Sequence, residues 1–256
     1  MSLAEASQIV KQPEVTRDAF LGGRLIVTQP TSGFRAGLDS VLLGAAVSPG
    51  GESLLDLGAG VGTAALVALA HDPEITATLV ETDADAAALA AANLGANGFA
   101  IRAAVTIADV TAPGARRVAG LRADAFGRII ANPPFFEGTP ASRRGAAARQ
   151  MPAAAIDVWV KAAATHAMPG GEAIFIHTAE RLRELLDAFA ARFGALTVLP
   201  LTPREGEPAH RVLVRGVKGS RAPLTLLASR PLHAQKGRGF RPEFEAIFRG
   251  EDALHW

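Results

Sequence analysis

The chain has no cysteine in its 256 residues. That absence excludes a disulfide framework, a thiolate zinc site and a cysteine nucleophile together, and it fits a reducing compartment. Long hydrophobic runs are missing as well: the longest, such as residues 64–70, fall far short of the ~20 residues that a membrane-spanning helix needs. Residues 1–13 hold no apolar stretch of the secretory kind, so a soluble, cytoplasmic protein is expected. Large net charge is also lacking, at +1, which excludes a chain that is polybasic throughout. The six histidines show no metal-ligand spacing; His210 and His233 read as surface or strand-edge groups, and no metal is expected. Internal repeats, low-complexity tracts and a Gly/Ser/Pro-rich linker are absent too.

What is present is enough apolar material, 49% of residues against 20% charged, to build a sizeable core. The length suits one large α/β domain. We expect residues 1–256 to form a single domain: a hairpin and helix in 1–50, a catalytic core in 51–218 and a basic extension in 219–256. Charge is uneven along the chain. Residues 209–242 carry Arg211, Arg215, Lys218, Arg221, Arg230, Lys236, Arg238 and Arg241 with no acid among them, and Arg143, Arg144 and Arg149 form a second basic cluster. Such single-sign stretches suit either phosphate contact or a solvated rim.

Strand-like and helix-like patterns alternate from residue 50 onward. Strands are expected at 52–57, 75–81, 105–108, 128–131 and 172–177, and helices at 63–70, 83–94, 156–167 and 179–193, with Asp83 as an N-cap. The segments 196–201 and 210–217 then follow one another with no helix between, which predicts an antiparallel pair at a sheet edge. Ahead of the core lie a strand at 24–27 and a helix at 38–47; after it come a strand at 224–228 and a short helix near 244–248. Repeated βα units predict a doubly wound, seven-stranded, mostly parallel sheet with an antiparallel closing strand and helices on both faces.

The first core strand ends in Leu55-Asp56-Leu57-Gly58-Ala59-Gly60-Val61-Gly62-Thr63. Glycines at a strand–helix junction let the backbone approach a ligand, and the helix start offers unpaired N–H groups. The dinucleotide fingerprint wants Gly or Ala three places beyond Gly60, where this chain has Thr63. A dinucleotide-dependent oxidoreductase is therefore disfavoured. Glu81 ends the second strand, where a carboxylate can accept from both hydroxyls of a ribose, and Asp109 follows the third. Three acids after three successive strands fit the crevice in which such sheets bind ligands.

The fourth strand runs into Asn132-Pro133-Pro134-Phe135. An exocyclic amine or side-chain amide is a poor nucleophile because its lone pair is delocalised. The Asn132 side-chain oxygen and the Pro133 carbonyl would each accept a hydrogen bond from the NH2 group and aim that lone pair. The prolines preorganise both acceptors, and Phe135 offers a stacking face. Trp159, on the following helix, reads as core, and Trp256 is uninformative.

The glycine loop resembles motif I of class I methyltransferases, and Asn132–Phe135 resembles motif IV of their amino-group branch. Gln29-Pro30, Gly33-Phe34-Arg35 and Leu38–Leu43, with Ala209–Arg215 and Lys218–Arg221, look like the bacterial adenine-N6 methyltransferases of a valine tRNA. That resemblance covers residues 20 to 250. It implies S-adenosylmethionine as cofactor, held by Leu38, Asp39, Asp56, Gly58, Ala59, Gly60, Gly62, Glu81, Thr82, Asp109, Val110 and Asn132, with Asp109 against the adenine amino group. It implies Asn132, Pro133, Pro134 and Phe135 as the catalytic motif, and direct transfer to adenine N6 of tRNA. Arg35, Arg143, Arg144, Arg149, Lys218 and Arg221 are the expected RNA contacts. Many members have Tyr in place of Phe135, and guanine-N2 methyltransferases of ribosomal RNA share Asn-Pro-Pro-Phe, so that acceptor is the alternative. Glutamine-N5 methyltransferases of release factors share the motif as well, but usually carry a sizeable helical domain ahead of motif I.

Overall fold

The computed structural model describes residues 14–32, 35–50, 52–134 and 153–256. The first element is a separate hairpin of β1 (Val15–Phe20) and β2 (Leu25–Pro30), followed by α1 (Leu38–Ala45). The βα alternation then gives β3 (Ser53–Leu57), α2 (Thr63–His71), β4 (Thr76–Glu81), α3 (Ala84–Ala96), β5 (Ala103–Ile107), α4 (Pro113–Val118) and β6 (Phe126–Ala131). After these come α5 (Ala153–His166), β7 (Ala167–Thr178), α6 (Leu182–Ala190), β8 (Phe193–Thr202), β9 (Arg211–Lys218), β10 (Thr225–Leu226), β11 (Arg230–Pro231) and α7 (Pro242–Arg249).

One sheet has the order β5-β4-β3-β6-β7-β9-β8-β10, with β11 also beside β8. Among the described residues it has nine strands rather than the expected seven, and the antiparallel strand is interior. β9 is antiparallel to both β7 and β8, so β8 regains the direction of the core strands. The outer side of β8 is then covered by the parallel additions β10 and β11. β10 falls within the strand expected at 224–228, whereas β11 is two residues long, too short to carry an alternating pattern in the sequence. In consequence β3 to β8 all end at one edge of the sheet, whereas β9 begins there with Arg211 and carries Lys218 to the opposite edge.

The central strand β3 is buried on both faces, as a parallel strand under two helical layers must be. On one face Leu54, Ile130 and Ile174 pack with α1, α2 and α7 through Leu42, Leu43, Leu66 and Phe244. On the other, Leu55, Ile129 and Phe175 pack with α5 and α6 through Ile156, Val160, Leu185 and Phe189. Asp83 caps α3 as expected, accepting from the N–H groups of Asp85 and Ala86. Among the described residues no helix is long and apolar enough to cross a membrane.

The hairpin is held to this core by two asparagine amides. On α3, Asn97 accepts from the Ile26 N–H and donates to the Ile26 carbonyl, both at 2.9 Å. One turn earlier Asn93 does the same for Thr28, at 2.8 and 2.9 Å. The amides thus replace a strand partner along the outer side of β2. Asn93 also donates to the Val61 carbonyl at 3.0 Å, joining β2 to the glycine loop after β3. Asn93 is 1% exposed, so Asn93→Ala leaves buried backbone groups unpaired, a cost of about 1–3 kcal/mol. The expected result is a lower melting temperature and weaker binding at the cleft described next. Calorimetry of wild type and variant, free and with cofactor, checks it; unchanged melting and affinity would contradict the coupling.

Candidate functional site

The loop Gly58–Gly62 turns sharply because Gly58, Gly60 and Gly62 take φ of +69°, +57° and +86°. The Gly58 and Ala59 N–H groups donate to the Val80 carbonyl at 2.8 and 3.0 Å, and the Gly60 N–H donates to Glu81 Oε2 at 2.7 Å. Glu81 Oε1 accepts from the N–H groups of Thr82 and Asp83 at 2.8 and 2.9 Å. Three backbone donors therefore fix one carboxylate and lock the β3 and β4 loops together. Gly58 has a second requirement: a Cβ there would lie 2.5 Å from Cη2 of Trp159 on α5.

β6 pairs with β3 in a register that sets Ala131 beside Leu57, so Asn132 emerges next to Gly58. Asp109, just past β5, accepts from the Thr111 N–H and hydroxyl at 2.8 and 2.6 Å. These strand ends enclose a cleft of about 480 Å³. Gly58, Gly60, Glu81, Thr82, Asp109, Val110, Asn132 and Pro134 line it, with Val61, Leu89, Ala108 and Trp159 as apolar walls and Asp83, Asp85 and Ala86 at the start of α3. Pro30 and Ser32 complete it from the hairpin side.

Several expected residues lie elsewhere. Ala59 and Gly62 shape the loop without lining the cleft; Gly62 packs toward Leu79 and Ala90. Pro133 is buried behind Asn132. Leu38 and Asp39 are off the cleft wall, and Asp39 Oδ2 instead accepts from Arg211 Nε at 2.8 Å, tying α1 to β9. The N-terminal segment reaches the cleft through Pro30 and Ser32. Arg35 is bound to its own hairpin, donating to the Asp18 carboxylate, the Thr16 hydroxyl and the Pro30 carbonyl. Lys218 donates to the Asp124 carboxylate and to the carbonyls of Ala164 and Ala167, at the edge opposite the cleft. Arg221 follows at that same edge, where the Ala195 N–H donates to the Ala222 carbonyl at 3.0 Å. Both are thereby removed from the cleft's surroundings. Phe135, Arg143, Arg144 and Arg149 lie outside the described residues.

Two features were not anticipated. Trp159 is a cleft wall as well as a core residue, a role that only the Gly58 contact reveals. Arg116 on α4 is 5% exposed and donates to the Val110 carbonyl and to His166 Nε2, bracing the cleft from behind. His166 turns its other ring nitrogen to the Arg122 carbonyl at 2.9 Å; burial lowers its pKa, so it serves as a neutral acceptor.

Asp56 lies beneath the loop, 2% exposed. Burial pushes its carboxyl up to about 7; the nearby Glu81 charge acts in the same direction and the Ala65 N–H opposes both. An unfolded aspartate titrates near 3.8. Between those values the folded state keeps a proton that the unfolded state has lost, so stability falls as pH rises from about 4 to about 7 and then levels off. Asp56→Asn removes this decline. Its melting temperature relative to wild type should rise by ~3 °C or more between about pH 5 and pH 8. A difference that does not vary with pH would contradict an ionisable, buried Asp56.

The cleft fits S-adenosylmethionine. Its volume lies in the range of cofactor sites, its walls are apolar, and its polar groups are few and convergent. Glu81 and the backbone of Gly58 and Gly60 border it.

The family model described as methyltransferase small domain matches residues 39–199. A tRNA1(Val) (adenine(37)-N6)-methyltransferase of a Flavobacteriaceae bacterium is 34% identical over 128 residues, covering 50% of this chain and 52% of that protein. Ribosomal RNA small subunit methyltransferase C of Cronobacter sakazakii is 32% identical over 173 residues, covering 64% of this chain and 45% of that protein. The chain thus spans about half the length of the curated relatives it matches. Among solved structures, a predicted O-methyltransferase from Agrobacterium tumefaciens superposes with a TM-score of 0.73 at 30% identity, covering 84% of this chain and 98% of that one.

Proposed function

The chain belongs to the methyltransferase small domain family, whose S-adenosylmethionine-dependent catalytic domain matches residues 39–199 here, and we propose that it methylates an exocyclic amine of RNA, with adenine N6 of a transfer RNA as the first candidate. The observation that carries this reading is the position of Asn132 and Pro134, just past the end of β6, on the wall of the same cleft as Glu81 and Asp109. When bound, S-adenosylmethionine supplies an electrophilic methyl group on a sulfonium centre. Glu81 would hold the ribose hydroxyls and Asp109 the adenine edge, with Val110 and Leu89 as apolar walls.

Asn132 and the Pro133 carbonyl accept the two hydrogens of the acceptor NH2 group and present its lone pair. No strong base is required, because the nitrogen sheds its proton only after it has been alkylated. A hydroxyl acceptor would need such a base, and among the described residues the ionisable groups on the cleft wall are the carboxylates of Glu81, Asp83, Asp85 and Asp109, at the ends of β4 and β5 and the start of α3. This supports nitrogen over oxygen despite the description of the Agrobacterium neighbour.

Adenine N6 and guanine N2 pose the same chemical problem, and the relatives include enzymes named for both tRNA and ribosomal RNA. The test is transfer of labelled methyl groups to unmodified tRNA, to ribosomal RNA and to release factor under identical conditions. Label in tRNA is expected. Label confined to ribosomal RNA would shift the substrate to guanine N2, and label confined to protein would overturn the RNA reading.

A further inference from the structure

We propose that the ribbon formed by residues 233–240 presents Lys236 and Arg238 to the phosphate backbone of the RNA substrate, an assignment that rests on the RNA reading above. The basic run 209–242 is divided by the fold. Its first half leaves the cleft edge along β9, where Arg211 pairs with Asp39, Arg215 lies 4.6 Å over the Trp256 ring, and Lys218 is tied to Asp124. Its second half comes back. β11 pairs Arg230 with Leu201 and Pro231 with Thr202, at the end of β8, so the chain beyond it projects from the edge that carries the cleft.

That projection is a braced ribbon. The Leu232 and His233 N–H groups donate to the carbonyls of Thr202 and Pro203, and the Ala234 N–H donates to the Gly239 carbonyl. The rings of His233 and Phe240 stack at 4.7 Å, and Phe240 meets Phe248 of α7 at the same separation. At the tip Gly237 takes φ +86°, and its carbonyl accepts from Arg204 at 2.9 Å. The flanking cations are paired within the fold, Arg230 with Glu243 and Arg241 more loosely with Glu205. Lys236 and Arg238 are exposed and make no ion pair with any described residue.

Two exposed cations on a braced, glycine-flanked tip, at the sheet edge that carries the cleft but beyond β7 and β9 from β6, suit phosphate oxygens, which position an RNA without reading its sequence. The tip offers no apolar surface for a protein partner.

The experiment compares wild type with Lys236→Ala/Arg238→Ala, using tRNA as the probe. Anisotropy titrations over a salt series are expected to give an RNA affinity lower by about 10-fold or more and a log–log salt slope shallower by about 1 to 2. Melting temperature and affinity for the cofactor should not change. Lys218→Ala, the contrasting variant, should leave the slope unchanged. Methylation of tRNA by a double variant with wild-type slope would overturn the ribbon and leave the RNA reading intact. A wild-type protein that neither binds nor methylates RNA would overturn both.

Discussion

Asn132→Ala should lower the rate of methyl transfer by ~10²-fold or more while leaving cofactor affinity within a few-fold of wild type. The side chain follows β6 beside Gly58 and lines the cleft, whereas the other cleft-lining groups assigned to the cofactor sit at the ends of β3, β4 and β5. An amide that accepts from the acceptor amine acts on the step that creates the new bond. Losing it therefore lowers kcat more than it weakens either ligand. Single-turnover rates and calorimetric titration of the cofactor separate the two effects. If affinity fell as far as the rate, Asn132 would belong to the cofactor site.

Gly58→Ala is expected to weaken cofactor binding by about 10-fold or more, since a φ of +69° is costly for a residue with a Cβ. The new methyl would also lie 2.5 Å from the Trp159 indole and push the cleft wall away from the loop. The two causes are separable. In Gly58→Ala/Trp159→Leu the steric part is relieved and only the backbone part remains, so the double variant should bind better than the sum of the single effects allows. Strict additivity would mean that the indole does not press on the loop.

Much of this site was legible in the sequence because its determinants are local. The run from Asp56 to Thr63 fixes a loop conformation by its glycines, Glu81 is placed by the length of β4, and Asn132 by prolines that end β6. The shared direction of the core strands follows from βα alternation. What could not be read depended on residues distant in the chain. Lys218 and Lys236 belong to one basic run, yet the reversal of β9 sends the first to the far edge and β11 brings the chain back before the second. Asp39 carries a plausible signature but is taken by Arg211, 172 positions away. Trp159 and Arg116 show no local pattern that separates cleft walls from core. The hairpin's place over the cleft rests on Asn93 and Asn97, ordinary polar positions on α3 until their partners on β2 are known.

The central claim is that the methyl group goes to an exocyclic nitrogen held by Asn132 and Pro133. Its most direct test is nucleoside analysis of the methylated RNA, which identifies the atom that carries the label. The account predicts label on an exocyclic amine, N6 of adenine above all. Label on a ribose 2′-oxygen or on a ring carbon would contradict it, because neither presents the two hydrogens that this site is arranged to accept.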